Sequence, residues 1–111
     1  MEEIFVVTAL HEFKAELFKA LGHPIRLRIL ELLVSGEKTV SELQADLEIE
    51  ASSVSQQLSL MRARQLVDAR KNGTSVFYTV RDPLIFDLLA IARQVFEHQL
   101  AQMSSVLSSD S

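Results

Sequence analysis

The chain has no cysteine and no tryptophan, and only three glycines and two prolines interrupt its 111 residues. The lack of cysteine excludes disulfides, thiolate metal sites, cysteine nucleophiles and thiol redox sensing. No apolar run approaches the ~18 residues of a membrane span, and the start Met1-Glu2-Glu3 lacks the basic residues of a signal peptide. We therefore expect a cytoplasmic protein without a membrane partner.

The composition that remains is that of an ordinary globular protein, with 48% hydrophobic and 23% charged residues. One domain over 1–111 is expected because compact domains usually run about 100–150 residues, and the serine-rich tail at 108–111 is expected to fray. A chain of this length buries only about two-thirds of its unfolded surface, which favours cover by a partner chain.

Charge is distributed unevenly along the chain. The net charge is −4, yet the segment 52–81 has a positive excess because its only acidic residue is Asp68. The cations of this segment are Arg62, Arg64, Arg70, Lys71 and Arg81. Positive charge gathered in one segment predicts contact with phosphate, whereas a solvated surface is the structural alternative.

Apolar spacing and the few glycines and prolines predict four helices, a two-stranded hairpin and a last helix. The helices are expected at about 4–21, 24–34, 40–47, 51–64 and 83–107, and the strands at about 66–70 and 75–80. In the second helix, the residues expected to be buried are Ile25, Ile29, Leu32 and Leu33.

Capping and turn residues predict where these elements begin and end. Gly22 stops the first helix, and His23 caps the second. Thr39 has capping-box spacing, and Asp82 caps the last helix. We expect Asn72-Gly73 to form the two central residues of the hairpin turn, both with positive φ.

A helix, a short turn, a helix and a hairpin have the layout of a winged helix-turn-helix, a mainly α fold with a small β-hairpin wing. On the second helix of this motif, Val54, Leu58 and Met61 share the side that must pack on the core. The opposite stripe consists of Ser52, Gln56, Ser59 and Ala63, flanked by Ser55 and Arg62. Small hydroxyls and an amide suit base edges in the major groove, whereas a merely solvated face usually carries Glu and Lys.

The hairpin tip adds Arg70, Lys71 and Thr74, which suit contact with phosphate or the minor groove. Phe77 and Tyr78 are expected to pack on the strand rather than to stack on bases. The full set of candidate DNA contacts is Ser52, Ser53, Ser55, Gln56, Gln57, Ser59, Arg62, Arg64, Arg70, Lys71 and Thr74.

Three segments in register resemble the ArsR/SmtB family of winged-helix repressors: LGHPIRLRIL at 21–30, SVSQQL at 53–58 and KNGTSVFY at 71–78. The resemblance extends from about Phe13 to Leu100. It implies a bacterial or archaeal homodimer that binds an inverted-repeat operator and regulates transcription. Most members of the family repress, and many release DNA when a metal binds.

A homodimer also follows from the last helix, whose two adjacent apolar stripes are too broad for a domain of this size to cover. The expected cover is the same helix of a second chain together with the first helix; burial within one subunit is the alternative. The candidate interface residues are Phe5, Leu10, Phe13, Leu17, Ile85, Leu88, Leu89, Ala92, Phe96 and Met103. A two-fold dimer places its recognition helices about 34 Å apart, so a palindromic duplex site is expected.

The resemblance implies two places for a metal. At the thiolate site this chain has Thr39 and Ser41, so that site is absent. At the site on the last helix, Asp82 and His98 match two of four positions, and two ligands do not complete the shell of zinc. We expect no cofactor, with Asp82 as a helix cap and His98 as a surface residue; both remain weak metal candidates.

No nucleophile–base spacing, glycine-rich phosphate loop or paired carboxylates appear, so an enzyme is not expected. Two alternatives to a simple repressor stay open. One is a repressor that responds to nickel, zinc or cobalt through a reduced site on the last helix. The other is a dimeric protein-interaction module that has lost specific DNA binding. An apolar small molecule, a metal, a partner protein or no effector at all are each compatible with the sequence.

Overall fold

The computed structural model describes residues 2–109, which fold into helices and one antiparallel hairpin. The order of elements is the predicted one, and the prediction of a mainly helical winged fold is confirmed. The bounds are α1 Glu2–Leu21, α2 Pro24–Leu32, α3 Val40–Leu47, α4 Ala51–Ala63, β1 Val67–Asn72, β2 Ser75–Val80 and α5 Leu84–Ser109. A short 3-10 turn, Leu33–Ser35, follows α2.

The elements form two compact units that divide between Arg81 and Asp82. The first unit contains α1 to α4 and the hairpin, and the second contains α5. In the structure α5 runs to Ser109, so residues 108 and 109 of the tail that the sequence predicted to fray are helical, while 110 and 111 lie outside the described residues. No helix within 2–109 is both long enough and apolar enough to cross a membrane.

The predicted helix starts are confirmed by their hydrogen bonds. His23 caps α2, since its Nδ1 accepts from the N–H of Ile25 at 3.2 Å. Thr39 Oγ1 accepts from the N–H of Glu42 at 3.2 Å, and the Glu42 carboxylate accepts from the N–H of Thr39 at 3.1 Å, which completes the capping box. At α5, Asp82 Oδ1 accepts from the N–H of Leu84 at 3.0 Å.

The core of the first unit lies where α2, α3, α4 and β1 meet. Its largest fully buried side chains are Ile29, Leu30, Leu43, Leu58, Met61, Val54 and Val67. The expected burial of Ile25 and Leu32 is wrong, since both are only half-buried, whereas Leu30 is completely buried. Contacts with both α3 and α4 enclose α2 on two sides, so its buried stripe is shifted from the one that periodicity alone indicates.

The hairpin turn differs from the prediction by one residue. Asn72 pairs with Ser75 at the end of the ladder, so the central residues are Gly73 and Thr74. Gly73 has φ +64°, and Thr74 is not among the residues with positive φ. Glycine with positive φ at the first central position alone is the requirement of a type II′ turn, which also matches the twist of the flanking strands.

The outer edge of β2 is also paired. Lys38, just before α3, donates its N–H to the carbonyl of Tyr78 at 3.1 Å and accepts from the N–H of Tyr78 at 2.8 Å. The segment that leads into α3 therefore pairs with β2 through one antiparallel β-bridge. This pairing joins the hairpin to the helix-turn-helix.

The end of α4 contains a strained residue. Gln65 has φ +63°, in the left-handed region that favours glycine. Its N–H donates to the carbonyl of Arg62 at 3.0 Å, and the N–H of Leu66 donates to the carbonyl of Met61 at 2.9 Å. These two bonds form a Schellman motif, which turns the chain from α4 into β1.

Replacement of Gln65 by glycine should therefore stabilise the protein. We expect Gln65→Gly to raise the free energy of unfolding by about 1 kcal/mol, because the left-handed conformation costs an L residue about that much. Urea unfolding followed by circular dichroism measures the change. Gln65→Ala is the control, since alanine carries the same backbone penalty; an equal gain in both variants would contradict this explanation.

Candidate nucleic-acid interface

The turn between α3 and α4 is short and contains a left-handed residue. Glu48 has φ +57°, and its N–H donates to the carbonyl of Gln44 at 2.8 Å, which closes α3. Two residues later the carbonyl of Glu50 accepts from the N–H groups of Ser53 and Val54 at 3.0 and 3.2 Å, and α4 begins. The two helices and this turn form a helix-turn-helix.

Packing on the core fixes the rotation of α4 about its own axis. Val54, Leu58 and Met61 are all 0% exposed, as the sequence predicted. The opposite side of the helix therefore faces away from the core. The exposed polar and small residues on that side are Ser52, Ser55, Gln56, Ser59, Arg62 and Ala63. We call this set, together with Leu60, the exposed face of α4.

Two of the candidate residues on α4 lie at the margin of this face. Ser53 and Gln57 are only half-buried rather than open to solvent. Gln57 Oε1 accepts from Nη1 of Arg26 at 3.3 Å, so its amide is already engaged within the first unit. Of the two glutamines, Gln56 is the one that the fold leaves exposed.

Arg26 is a residue that sequence reasoning missed. Besides Gln57, its guanidinium donates to the carbonyl of Ala20 at 2.7 Å and to that of Lys19 at 3.5 Å. These carbonyls belong to the last turn of α1, where a cation is favoured by the helix dipole. Arg26 therefore links the end of α1 to α4. The sequence showed only an arginine within a helix, since its partners are 6, 7 and 31 residues away.

Two of the five cations in the segment 52–81 are neutralised by acidic residues outside it. Arg64 donates to the carboxylate of Glu16 at 2.9 Å. Arg70 donates to both carboxylate oxygens of Glu37 at 2.8 and 2.9 Å, and its guanidinium lies 5.2 Å from the ring centre of Phe77. These ion pairs are partly exposed, so each contributes little to stability but does occupy its arginine.

The other three cations remain available. Within residues 2–109, the ion pairs do not include Arg62, Lys71 or Arg81, and all three side chains are exposed. Lys71 and Thr74 lie at the hairpin tip, beside the exposed Gly73. The structure thus brings a polar helix face and a cationic hairpin tip into one compact unit, which is the arrangement that a groove and its flanking phosphates require.

Leu60 is a further residue that sequence reasoning left out of the candidate site. It is 39% exposed and lies about 40° from Gln56 at 100° per residue, on the exposed face of α4. The rotation of 100° per residue that places Gln56 on the outer face also places Leu60 there, so the spacing in the sequence already indicated its position. Leucine has no polar group to offer a base edge, so its residue type alone did not indicate a contact.

The weak metal candidates are not brought together. Asp82 uses its carboxylate to cap α5, and His98 lies exposed about 20 Å further along that helix, at 1.5 Å per residue. Within the described residues, no group of three His, Cys, Asp or Glu side chains is placed to hold a metal ion.

Apolar side chains are exposed on both terminal helices. On α1, Phe5 is 75% and Phe13 is 64% exposed, and on α5 Phe96 is 60% exposed. Of the remaining candidate interface residues, Leu10, Ala92 and Met103 are exposed, and Leu17, Leu88 and Leu89 are half-buried. Ile85 is already buried in the single chain at 9% exposure.

The chain is similar to known regulatory proteins. The sequence profile described as "Bacterial regulatory protein, arsR family" matches residues 23–69. The uncharacterized HTH-type transcriptional regulator Rv0081 of Mycobacterium tuberculosis is 44% identical over 99 residues, which cover 88% of this chain and 87% of that relative. The biofilm growth-associated repressor of Agrobacterium fabrum is 35% identical over 74% of this chain and 70% of its own length.

The chain is also similar in structure to solved proteins of this kind. The crystal structure of Rv0081 aligns with a TM-score of 0.76 at 45% identity, over 84% of this chain and 94% of that one. The homodimeric winged helix-turn-helix DNA-binding domain Mb0332 of Mycobacterium bovis aligns with a TM-score of 0.75 at 30% identity, over 84% of this chain and 86% of that one.

The ion pair of Arg70 generates a prediction about charge. Glu37→Gln should free this arginine for phosphate and steepen the dependence of log affinity on log salt by up to about 0.9 for a random duplex. Glu31→Gln is the matched control, because it removes one negative charge from an exposed α2 carboxylate outside the ion pairs found within 2–109. Anisotropy titrations at several salt concentrations measure both variants. Equal slopes would show that Arg70 is not held back by Glu37.

Proposed function

The chain belongs to the ArsR family of bacterial regulatory proteins, and from this membership we propose that it is a homodimeric repressor of an inverted-repeat operator. Its family and relatives make it a DNA-binding transcriptional regulator rather than an enzyme. The observation that carries the proposal is the exposed face of α4, which core packing holds outward on a helix-turn-helix.

Base reading is assigned to the exposed face of α4. Serine hydroxyls are short enough to let the helix backbone approach the groove floor, and the Gln56 amide can pair with N6 and N7 of adenine. Ser52, Ser55 and Ser59 complete this set, with Ser53 at its margin. Gln57 has a supporting role, because its amide oxygen is held by Arg26.

Phosphate contact is assigned to the cations around this face and to the hydroxyl of Thr74. Arg62 lies at its edge, Lys71 and Thr74 lie at the hairpin tip, and all three are exposed. Arg64 and Arg70 join them when phosphate competes with the carboxylates of Glu16 and Glu37. Such contacts orient the protein on the duplex without reading its sequence.

The proposed dimer covers the apolar residues of α1 and α5. Apolar side chains exposed on this scale on each helix mark it for interaction with a partner. The occupant we propose is a second copy, as in the homodimeric Mb0332 domain. Nine of the candidate interface residues enter this proposal, while Ile85 is left out because it is only 9% exposed in the single chain. Two-fold symmetry then presents two α4 helices about one DNA turn apart, to a palindromic site.

The proposal includes no metal. Asp82 and His98 are too far apart within one chain to share an ion, and the Asp82 carboxylate already caps α5.

Binding to DNA is tested by fluorescence anisotropy. The full chain is titrated into its own upstream duplex and into a shuffled duplex of equal composition, in chelator and at moderate salt. We expect tight binding to the upstream duplex alone, at two chains per site. Equal and weak binding to both duplexes would overturn the proposal.

Salt dependence separates this function from a protein-interaction module with the same fold. A DNA-binding dimer loses affinity steeply as salt rises, with a slope set by the number of phosphates neutralised. A module that binds protein through its apolar surfaces has no such slope on DNA. A flat salt response would therefore favour the module.

Two substitutions separate base reading from phosphate contact. Gln56→Ala should weaken binding to the specific duplex by about 1–3 kcal/mol and leave the shuffled duplex unchanged. Arg62→Ala should weaken binding to both duplexes alike, because phosphate carries no sequence information. Anisotropy with both duplexes measures the two variants. Equal losses on both duplexes for both variants would refute this division of roles.

The dimer is tested by a charge placed among the exposed apolar residues of α5. Phe96→Glu should convert the dimer to a monomer and abolish specific binding, because a buried unpaired carboxylate cannot be accommodated in an apolar interface. Light scattering coupled to size exclusion gives the mass. Val34→Glu, at a residue 61% exposed outside α1 and α5, is the control and should remain dimeric. A Phe96→Glu protein that stays dimeric would exclude this interface.

A further inference from the structure

We propose that Leu60 reads the C5-methyl group of a thymine in the operator. This inference rests on the proposed function and adds to it a requirement on the DNA. Leu60 is the large apolar side chain on the exposed face of α4, where its neighbours are serines, an alanine and Gln56.

The position of Leu60 on the helix brings it to the same groove as Gln56. The two residues are four apart, so their side chains lie on neighbouring turns of one face, about 6 Å apart along the axis. A helix that lies along the major groove and presents Gln56 to base edges brings Leu60 beside bases about two steps away in the duplex. Base steps are about 3.4 Å apart, which matches this spacing.

The chemistry of the major groove contains one apolar feature, which is the thymine methyl group. Every other group at the base edges is a hydrogen-bond donor or acceptor, and an apolar side chain recognises thymine by contact with that methyl. A leucine set against a cytosine amino group or a guanine carbonyl would leave those polar groups without a partner, which costs binding energy. Leu60 thus favours thymine and disfavours the other bases.

Partial burial suits Leu60 to this role. At 39% exposure, Leu60 is partly covered by its own chain and partly open to solvent. A side chain held in this way loses little conformational freedom on binding, since much of it is already ordered. The adjacent Ser59 and Ala63 are small and exposed, so they leave room for the base pair to approach.

The test removes single methyl groups from the DNA. Each thymine of the specifically bound upstream duplex is replaced in turn by deoxyuridine, which lacks only the C5-methyl. We expect one thymine in each half-site at which replacement weakens the wild-type protein about fourfold, the loss for one methyl group no longer buried. In Leu60→Ala, the same replacement should have no effect.

Controls keep the outcome specific to Leu60. Val34→Ala shortens another exposed apolar side chain outside α4 and should retain the fourfold response of the wild type. If Leu60→Ala lowers the melting temperature, Leu60→Gln repeats the test with a side chain of similar size that lacks the apolar end. It too should be insensitive to the replacement.

The results separate this inference from the proposed function. Specific binding that is insensitive to every thymine replacement, or a Leu60→Ala protein that keeps the wild-type response, would overturn the role of Leu60 alone. The absence of any specifically bound duplex would overturn the proposed function and this inference together.

Discussion

The rotation of α4 about its own axis is the constraint on which the rest of the molecule depends. Val54, Leu58 and Met61 are completely buried, so the helix cannot turn without exposing them to water. Full burial of one such side chain contributes about 1.5–3 kcal/mol, and together the three outweigh any preference of the outer face. The polar residues face outward because the apolar ones face inward. The direction of the exposed face therefore follows from the packing of the core.

The distribution of charge within the first unit is the second feature that determines the properties of the candidate interface. The chain is acidic as a whole, yet exposed cations surround the outer face of α4 and the hairpin tip. Glu16 and Glu37 neutralise two of them, so the positive charge presented to DNA is smaller than the sequence suggests. Partial neutralisation weakens attraction to random duplex, which is the sequence-independent part of binding. In the proposed complex with an operator, specific contacts then account for a larger share of the affinity.

Much of the fold could be predicted because its signals are local. Thr39 and Glu42 cap α3, His23 caps α2, and the four-residue spacing of buried residues orients α4; each depends on neighbours along the chain. The errors arose where tertiary contacts decide. Leu30 is buried because α2 is enclosed by two helices, and the hairpin turn moved to Gly73-Thr74 because the ladder continues to Asn72. Long-range partners such as Arg26 with Gln57 leave no trace in local spacing.

The Schellman motif after α4 has a consequence for how binding sites can vary. It turns the chain directly into β1, and the hairpin is also bound to Lys38 beside the start of α3. The helix-turn-helix and the hairpin are thus connected at two points, the Schellman motif after α4 and the pairing of Lys38 with Tyr78. In the proposed complex, a change in the distance between the base pairs beside the helix and the phosphates beside the hairpin would require changes in both connections. In the proposed dimer the distance between half-sites depends instead on contacts between the two chains, so that distance and the pattern within one half-site can change independently.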